Sequence, residues 1–142
     1  MLQTEPSASV WIQVIAVASG GAAGSTLRLL LASAISQGGR EAHWGTLLVN
    51  IVGSACLGAL MAWLAGEGGS TTWRALARYG LGIGVLGSFT TFSTFSHEAM
   101  TLLRTERWGL ACLYMGASMV LCIVAAAGGW ALAHHIWGAE PE

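Results

Sequence analysis

The segment GVLGSFTTFSTF, which runs from Gly84 to Phe95, interrupts an otherwise apolar region with five hydroxyl side chains and no charge. A glycine inside a helix costs about 1 kcal/mol relative to alanine, and Gly84 and Gly87 stand before two successive threonines, Thr90 and Thr91. The backbone groups that an interruption frees at membrane depth need protein or a cavity around them. The segment therefore predicts a helix that is broken near its middle, from Gly87 to Thr90, with the break facing the protein interior.

The composition around this segment is that of an integral membrane protein. The 142 residues are 54% hydrophobic and 9% charged, whereas a soluble domain carries about 25% charged residues. A net charge of −1 gives no basis for nucleic-acid binding, which needs a basic surface. The loops between apolar runs are short, and the four histidines have no metal-ligand or catalytic-triad spacing. We therefore expect no enzyme, and a function that is carried out within the bilayer.

Four runs without a charged residue are long enough to cross a membrane, since a spanning helix needs about 20 apolar residues for about 30 Å of hydrocarbon. They cover residues 6–27, 42–66, 79–97 and 108–139. We predict an all-α membrane protein with four transmembrane helices in a single domain, residues 1–142. The helices are expected near 11–36, 45–66, 75–100 and 108–134. The seven tryptophans fall near the predicted helix ends, where Trp is enriched in membrane proteins.

The basic residues are too evenly distributed to set one orientation in the membrane. Arg40 lies in the first loop, Arg74 and Arg78 lie in or next to the second, and Arg104 and Arg107 lie in the third. The positive-inside rule then predicts little bias. Two alternatives stay open: the chain inserts both ways and forms an antiparallel dimer, or another feature sets a single orientation.

Small residues four positions apart predict close packing between helices. Such faces let two backbones approach each other where lipid offers no hydrophobic drive for association. The pairs are Gly20 and Gly24, Ser54 and Gly58, and Gly80 and Gly84.

Two strongly polar side chains are predicted deep in the spans, where such groups are functional candidates by default. Arg28 lies in AAGSTLRLLLAS of the first span. It could extend toward the interface, neutralise an anion or cap a neighbouring helix, and we expect such an electrostatic or structural role in preference to direct contact with a permeating ion. Asn50 lies in WGTLLVNIVGS of the second span, with Thr46 on the same helix face. Its amide either bridges helices or points an N–H at an anion.

The last two spans carry a row of polar groups and a pair of aromatic rings. Tyr114, Ser118 and Cys122 are four residues apart and share one helix face, which indicates one wall of a polar track. Phe92 and Phe95 also share a face. They either contact lipid and core, or turn the positive edges of their rings toward a small anion.

Four stretches together resemble the Fluc, or CrcB, family of fluoride channels. They are GGAAGSTLR (20–28), WGTLLVNIVGS (44–54), GVLGSFTTFSTFSHE (84–98) and YMGAS (114–118). The resemblance runs in order over roughly residues 11–135.

The resemblance implies a passive, fluoride-selective channel in the inner membrane of a prokaryote, which removes cytoplasmic fluoride. It also implies an antiparallel, dual-topology homodimer in membrane lipid, with two fluoride pathways. A structural sodium ion is implied at the dimer centre, bound by the backbone carbonyls of Gly87 and Thr90.

The same resemblance assigns the remaining site residues. The fluoride pathway is implied to comprise Asn50, Phe92, Phe95, Tyr114, Ser118, Thr46 and Thr94. Arg28 and Glu98 are expected to act electrostatically or structurally. Cys122 departs from the pattern, because a hydroxyl is expected there and a thiol is a poorer donor. We expect this change to tune the rate of conduction.

Two other functions fit a small four-helix membrane protein. A small multidrug-type, proton-coupled antiporter needs a carboxylate deep in the membrane, usually in its first helix, whereas Met1 to Arg40 contains only Glu5, outside the predicted span. A non-transporting membrane subunit would use its polar residues only to join helices. That reading offers no account of hydroxyl residues at a helix break beside paired phenylalanines.

Overall fold

The computed structural model describes residues 10–37, 42–66 and 71–137, and within these ranges the chain is almost entirely helical. The elements are α1 Val10–Gln37, α2 Ala42–Ala65, α3 Thr71–Leu76, a π-helix Ala77–Leu86, α4 Gly87–Phe89, α5 Phe92–Arg104 and α6 Trp108–Trp137. Three of them, α1, α2 and α6, are long and apolar enough to cross a membrane. The chain is an all-α, multi-pass membrane protein.

The three long helices correspond to the first, second and fourth helices predicted from the sequence. The third predicted helix, near 75–100, is instead a succession of four short elements between Thr71 and Arg104. No single one of these has the length of a membrane span. The count of four transmembrane helices therefore stays a prediction.

The π-helix packs closely against α1 through glycine. A Cβ built on Gly20 would collide with the carbonyl oxygen of Gly80, and one built on Gly24 would collide with that of Val85. A Cβ on Gly84 would lie 3.0 Å from the Cα of Gly20. Two of the small-residue faces predicted from the sequence thus pack against each other, and any side chain at Gly20 or Gly24 would separate the backbones.

Helices α2 and α6 approach equally closely. A Cβ on Gly58 would meet the carbonyl of Ala126, and a Cβ on Gly129 would meet that of Ala55. This contact sets α2 beside α6 along their length. Farther along the same pair, Leu47, Ala111 and Tyr114 belong to the buried cluster that also includes residues of α5.

The helix break lies at Thr90 and Thr91. Thr90 has φ −78° and ψ 154°, and Thr91 has φ −149° and ψ 115°, which are extended conformations. Of the range Gly87 to Thr90, in which the sequence predicts the break, Gly87 keeps helical angles (φ −65°, ψ −32°) and Thr90 is extended. The break extends one residue beyond this range because the backbone of Thr91 is bonded to a side chain of α2, described below.

The end of α2 is capped by an arginine from the next element. Arg74 donates from Nη1 to the carbonyl of Gly66 (2.5 Å) and from Nη2 to that of Leu64. These carbonyls are among the groups that a helix leaves unpaired at its C-terminus, and a cation there also complements the helix dipole. Arg74 thus caps α2, and the role of Arg28 stays a prediction.

Candidate functional site

Asn50 of α2 holds the backbone of the break. Its Oδ1 accepts a hydrogen bond from the N–H of Thr91 at 2.8 Å, and its Nδ2 donates to the carbonyl of Thr91 at 3.2 Å. An extended residue inside a helical region needs such partners, because its neighbours no longer supply them. The two bonds use the amide oxygen and one N–H of Asn50, whose amide nitrogen carries two hydrogens. Asn50 therefore bridges helices and retains a donor.

The side-chain hydroxyl of Thr91 caps the N-terminus of α5. Its Oγ1 accepts from the N–H of Thr94 at 3.2 Å and donates to Thr94 Oγ1 at 3.0 Å. Thr91 is therefore the N-cap of α5, a position that threonine favours. Thr91 is not among the site residues predicted from the sequence. Its sequence signal is a threonine, which favours the N-cap, directly before the amphipathic segment FSTFSHEAMTLLR.

These bonds free two backbone carbonyls. In a continuous α-helix the carbonyl of Gly87 would accept from the N–H of Thr91, and that of Thr90 from the N–H of Thr94. The first N–H is bonded to Asn50 and the second to the Thr91 hydroxyl. Both carbonyls have thus lost their α-helical donors, and they are the two oxygens that the resemblance implies as sodium ligands. Neutral oxygen ligands suit a hard cation, so this backbone fits a sodium ion.

Glu98 of α5 is bonded by hydroxyls from two other helices. Thr46 Oγ1 donates to Glu98 Oε1 at 2.8 Å, and Tyr114 OH donates to Oε2 at 2.7 Å. Both donors are buried, with exposed fractions of 5% and 0%. A carboxylate is costly inside a membrane protein unless it finds such partners. Glu98 therefore links α2, α5 and α6, and in this arrangement the hydroxyls of Thr46 and Tyr114 are directed at the carboxylate.

A groove of about 340 Å³ lies beside the break, between α2, α5 and α6. It is lined by four of the residues that the resemblance implies for the fluoride pathway, together with Cys122. Those four are Asn50, Phe92, Phe95 and Ser118. We call this space the α2–α5–α6 groove. All of the described residues that line it are uncharged.

Aromatic rings form one side of this groove. The centroids of Phe92 and Phe95 are 5.5 Å apart with ring planes at 42°, and those of Phe95 and Tyr114 are 5.2 Å apart at 49°. Phe95 is half-buried, whereas Phe92 is 79% exposed. Tilted rings present edges, which carry partial positive charge, as well as faces. The arrangement can therefore offer weak positive potential without a cation.

Ser118 lies on the α6 side of the groove. Its Oγ is buried and has no hydrogen-bond partner among the residues that the structure describes, and the side chain is 6% exposed. Buried hydroxyls in folded proteins are nearly always bonded, so an exception needs an explanation. Because Ser118 also lines the groove, rotation about its χ1 would bring the hydroxyl to a ligand there.

Arg28 and Thr94 lie at a second depression, of about 330 Å³, on the α1 side of the break. Thr46 and Thr91 also line it. Thr91 therefore belongs to both spaces, and the break separates them. The structure thus divides the predicted pathway residues between the groove, this depression and the hydrogen bonds of Glu98.

The fold and the groove define a class of protein: a multi-pass helical membrane protein with an uncharged polar path beside a broken helix. Comparison with known proteins identifies the family. The family model described as "CrcB-like protein, Camphor Resistance (CrcB)" matches residues 15–130. The chain belongs to the CrcB family, which confirms the resemblance drawn from its sequence motifs.

Relatives with curated names agree with this assignment. A protein of Caulobacter vibrioides is 40% identical over 128 residues, which is 88% of this chain and 98% of the relative. One of Novosphingobium aromaticivorans is 45% identical over 107 residues, 73% of this chain and 82% of the relative. One of Geobacter sulfurreducens is 41% identical over 119 residues, 83% and 91% respectively. Each is named fluoride-specific ion channel FluC. The family is one of ion channels, so the chain is not an enzyme.

Proposed function

We propose that this protein is a passive fluoride-selective channel that lets cytoplasmic fluoride leave a prokaryotic cell through its inner membrane. The observation that carries the proposal is the α2–α5–α6 groove, in which the buried hydroxyl of Ser118 lacks a partner among the described residues. The names of the relatives support fluoride as the ion.

The chemistry of the groove suits a small, strongly hydrated anion. Fluoride must exchange its water for protein donors, and the groove offers the Ser118 hydroxyl, the second N–H of Asn50, and the edges of Phe92 and Phe95. A fixed cation in the path would bind fluoride strongly. Conduction requires binding weak enough to allow exit, and uncharged donors satisfy that condition.

We further propose that two antiparallel subunits complete the channel. In a single chain the groove is open along one side, and Phe92 is 79% exposed. An anion crossing there would contact lipid, which cannot replace its hydration. A second subunit over this opening would enclose the path.

A structural sodium ion at the two-fold axis would join the subunits. One subunit supplies two freed carbonyls, from Gly87 and Thr90, which are too few oxygens for a sodium ion. An antiparallel pair brings both sets together and doubles the number. Both Asn50 and Thr91 support the ion indirectly, because they hold the N–H groups that would otherwise bond these carbonyls.

The antiporter alternative has no comparable support. Helix α1, Val10–Gln37, contains no carboxylate. Glu98 is the carboxylate of α5, and both of its oxygens accept hydroxyl hydrogen bonds from neighbouring helices. Proton coupling would need to break that arrangement in each cycle.

The decisive experiment measures ion release from liposomes. Purified protein is reconstituted into vesicles loaded with potassium fluoride, and valinomycin is added so that potassium can compensate the charge of the departing anion. We expect rapid fluoride release at a fluoride electrode, no release from empty vesicles, and negligible chloride release from vesicles loaded with potassium chloride. Equal rates for fluoride and chloride, or release that requires an opposing proton gradient, would contradict the proposal.

A further inference from the structure

Two sulfur-containing side chains line the α2–α5–α6 groove beside Ser118. Met119 and Cys122 both belong to its lining. They are three residues apart on α6, so they are neighbours on the helix surface, with Cβ atoms about 5–6 Å apart. Cys122 is half-buried and Met119 is 69% exposed. A thiol and a thioether therefore lie next to each other on the α6 side of the groove.

A second observation indicates that the α6 surface of the groove contacts a ligand. Ser118, one helical turn before Cys122, has a buried Oγ with no hydrogen-bond partner in the described part of the chain. The other two cysteines are in a different position, since Cys56 and Cys112 are exposed and neither lines the groove. Cys122 is thus the cysteine that shares a cavity with an unsatisfied buried polar group.

We infer that Met119 and Cys122 form a binding site for a soft monovalent cation of the silver(I) and copper(I) type, and that a cation bound there blocks the groove. Thiolate and thioether sulfurs are the protein ligands that such metals prefer. Binding forms a sulfur–metal bond at Cys122 as its thiol proton passes to water, and no electron transfer is involved. The consequence for flux rests on the proposed function, whereas the binding site itself does not.

Blockage follows from the size and position of the site. The groove has a volume of about 340 Å³, and Asn50, Phe92 and Phe95 line the same space. A metal ion on the Cys122 sulfur would occupy volume that a passing anion needs. Because the Cys122 thiolate neutralises the monovalent cation, the block comes from the occupied volume and not from an added charge.

The test uses silver nitrate on reconstituted protein in chloride-free potassium fluoride medium, with valinomycin present. We expect micromolar silver to slow fluoride release by about tenfold or more in the wild type, because conduction fails when a bound ion does not leave the path. The variant with both Cys56→Ser and Cys112→Ser should be inhibited equally, and dithiothreitol should reverse the inhibition in both. The Cys122→Ser variant, compared with its own rate without silver, should be insensitive. Met119→Leu should require a higher silver concentration.

A second measurement does not depend on conduction. In the Cys56→Ser, Cys112→Ser background, Cys122 is the remaining cysteine, and its alkylation by N-ethylmaleimide is followed by intact-protein mass spectrometry. Silver should protect it from alkylation, and Met119→Leu should weaken that protection. Equal inhibition of Cys122→Ser and wild type, or no protection by silver, would overturn the metal site. Absence of fluoride release without silver would instead contradict the proposed function, and the protection result would still decide the site.

Discussion

Asn50 takes part in two features of the site. Its amide oxygen and one N–H hold the extended backbone of Thr91, and the same side chain lines the groove. Ser118 differs, because its buried hydroxyl has no hydrogen-bond partner among the described residues and its side chain lines the groove. At the scale of single residues, the site is therefore defined by which hydrogen-bonding groups the fold has used and which it has left available.

Asn50→Asp should reduce both conduction and stability. A carboxylate keeps the acceptor for the Thr91 N–H but loses the donor to the Thr91 carbonyl, which leaves two acceptors facing each other 3.2 Å apart. A buried acceptor without a donor costs about 1–3 kcal/mol, and the new negative charge opposes an anion in the groove. We expect a lower thermal-unfolding temperature in detergent and strongly reduced fluoride release. Unchanged release would mean that Asn50 only bridges helices.

Phe92→Ile and Phe95→Ile test the aromatic edges. Isoleucine keeps the apolar volume approximately but removes the ring quadrupole. We expect each variant to lose most of its fluoride release from liposomes while size-exclusion chromatography still shows the wild-type oligomer. Phe92 is largely exposed, so its replacement should cost little stability, whereas Phe95 packs against Tyr114 and should cost more. Wild-type release in both variants would refute a role for the ring edges.

At the scale of helices, glycine positions decide how the elements pack. The π-helix carries glycines against α1, and α2 contacts α6 through Gly58 and Gly129. Hydrophobic association does not favour helix packing in lipid, so close backbone contact has to supply the attraction. The break at Thr90 and Thr91 can form because α2 is near enough for Asn50 to bond the backbone of Thr91.

Two adjacent glycines of α6 provide a matched pair. A Cβ at Gly129 would collide with the carbonyl of Ala55, whereas a Cβ at Gly128 would have nothing within 4 Å in the described structure. We expect Gly129→Ala to destabilise the protein by about 1–3 kcal/mol through overpacking. Gly128→Ala should be neutral or stabilise by up to about 1 kcal/mol, because alanine favours the helix. Thermal unfolding in the same detergent measures both, and equal effects would contradict the packing described here.

At the scale of the whole molecule, the proposed second copy of the chain would close the open groove and add two more carbonyls to those at the break. Many apolar side chains of α1 and α6 are exposed in the isolated subunit. Lipid and a partner subunit are the surroundings in which such surfaces are stable. The near balance of arginines between the loops is consistent with insertion in both orientations.

Dual topology can be measured directly with one added cysteine. In a variant whose three cysteines are serine, Glu140→Cys places a thiol in the C-terminal tail. We expect a membrane-impermeant maleimide to label about half of the protein in intact cells, since the charge bias does not select one orientation. A permeant maleimide should label nearly all of it. Labelling of nearly all or nearly none by the impermeant reagent would show a single orientation.

Hydrophobic length, glycine spacing and hydroxyl clustering are local properties, so the sequence by itself determined the membrane class, the three long helices and the presence of an interruption. Motifs in order along the chain also determined the family. The exact place of the break was not local, since Asn50 captures the Thr91 backbone from 41 residues away. The sequence places Tyr114 and Ser118 on one helix face. In the folded protein Tyr114 donates a hydrogen bond to Glu98, whereas the hydroxyl of Ser118 has no partner among the described residues. Helical periodicity shows which side chains share a face, whereas only the approach of other helices decides which hydrogen bonds those side chains make.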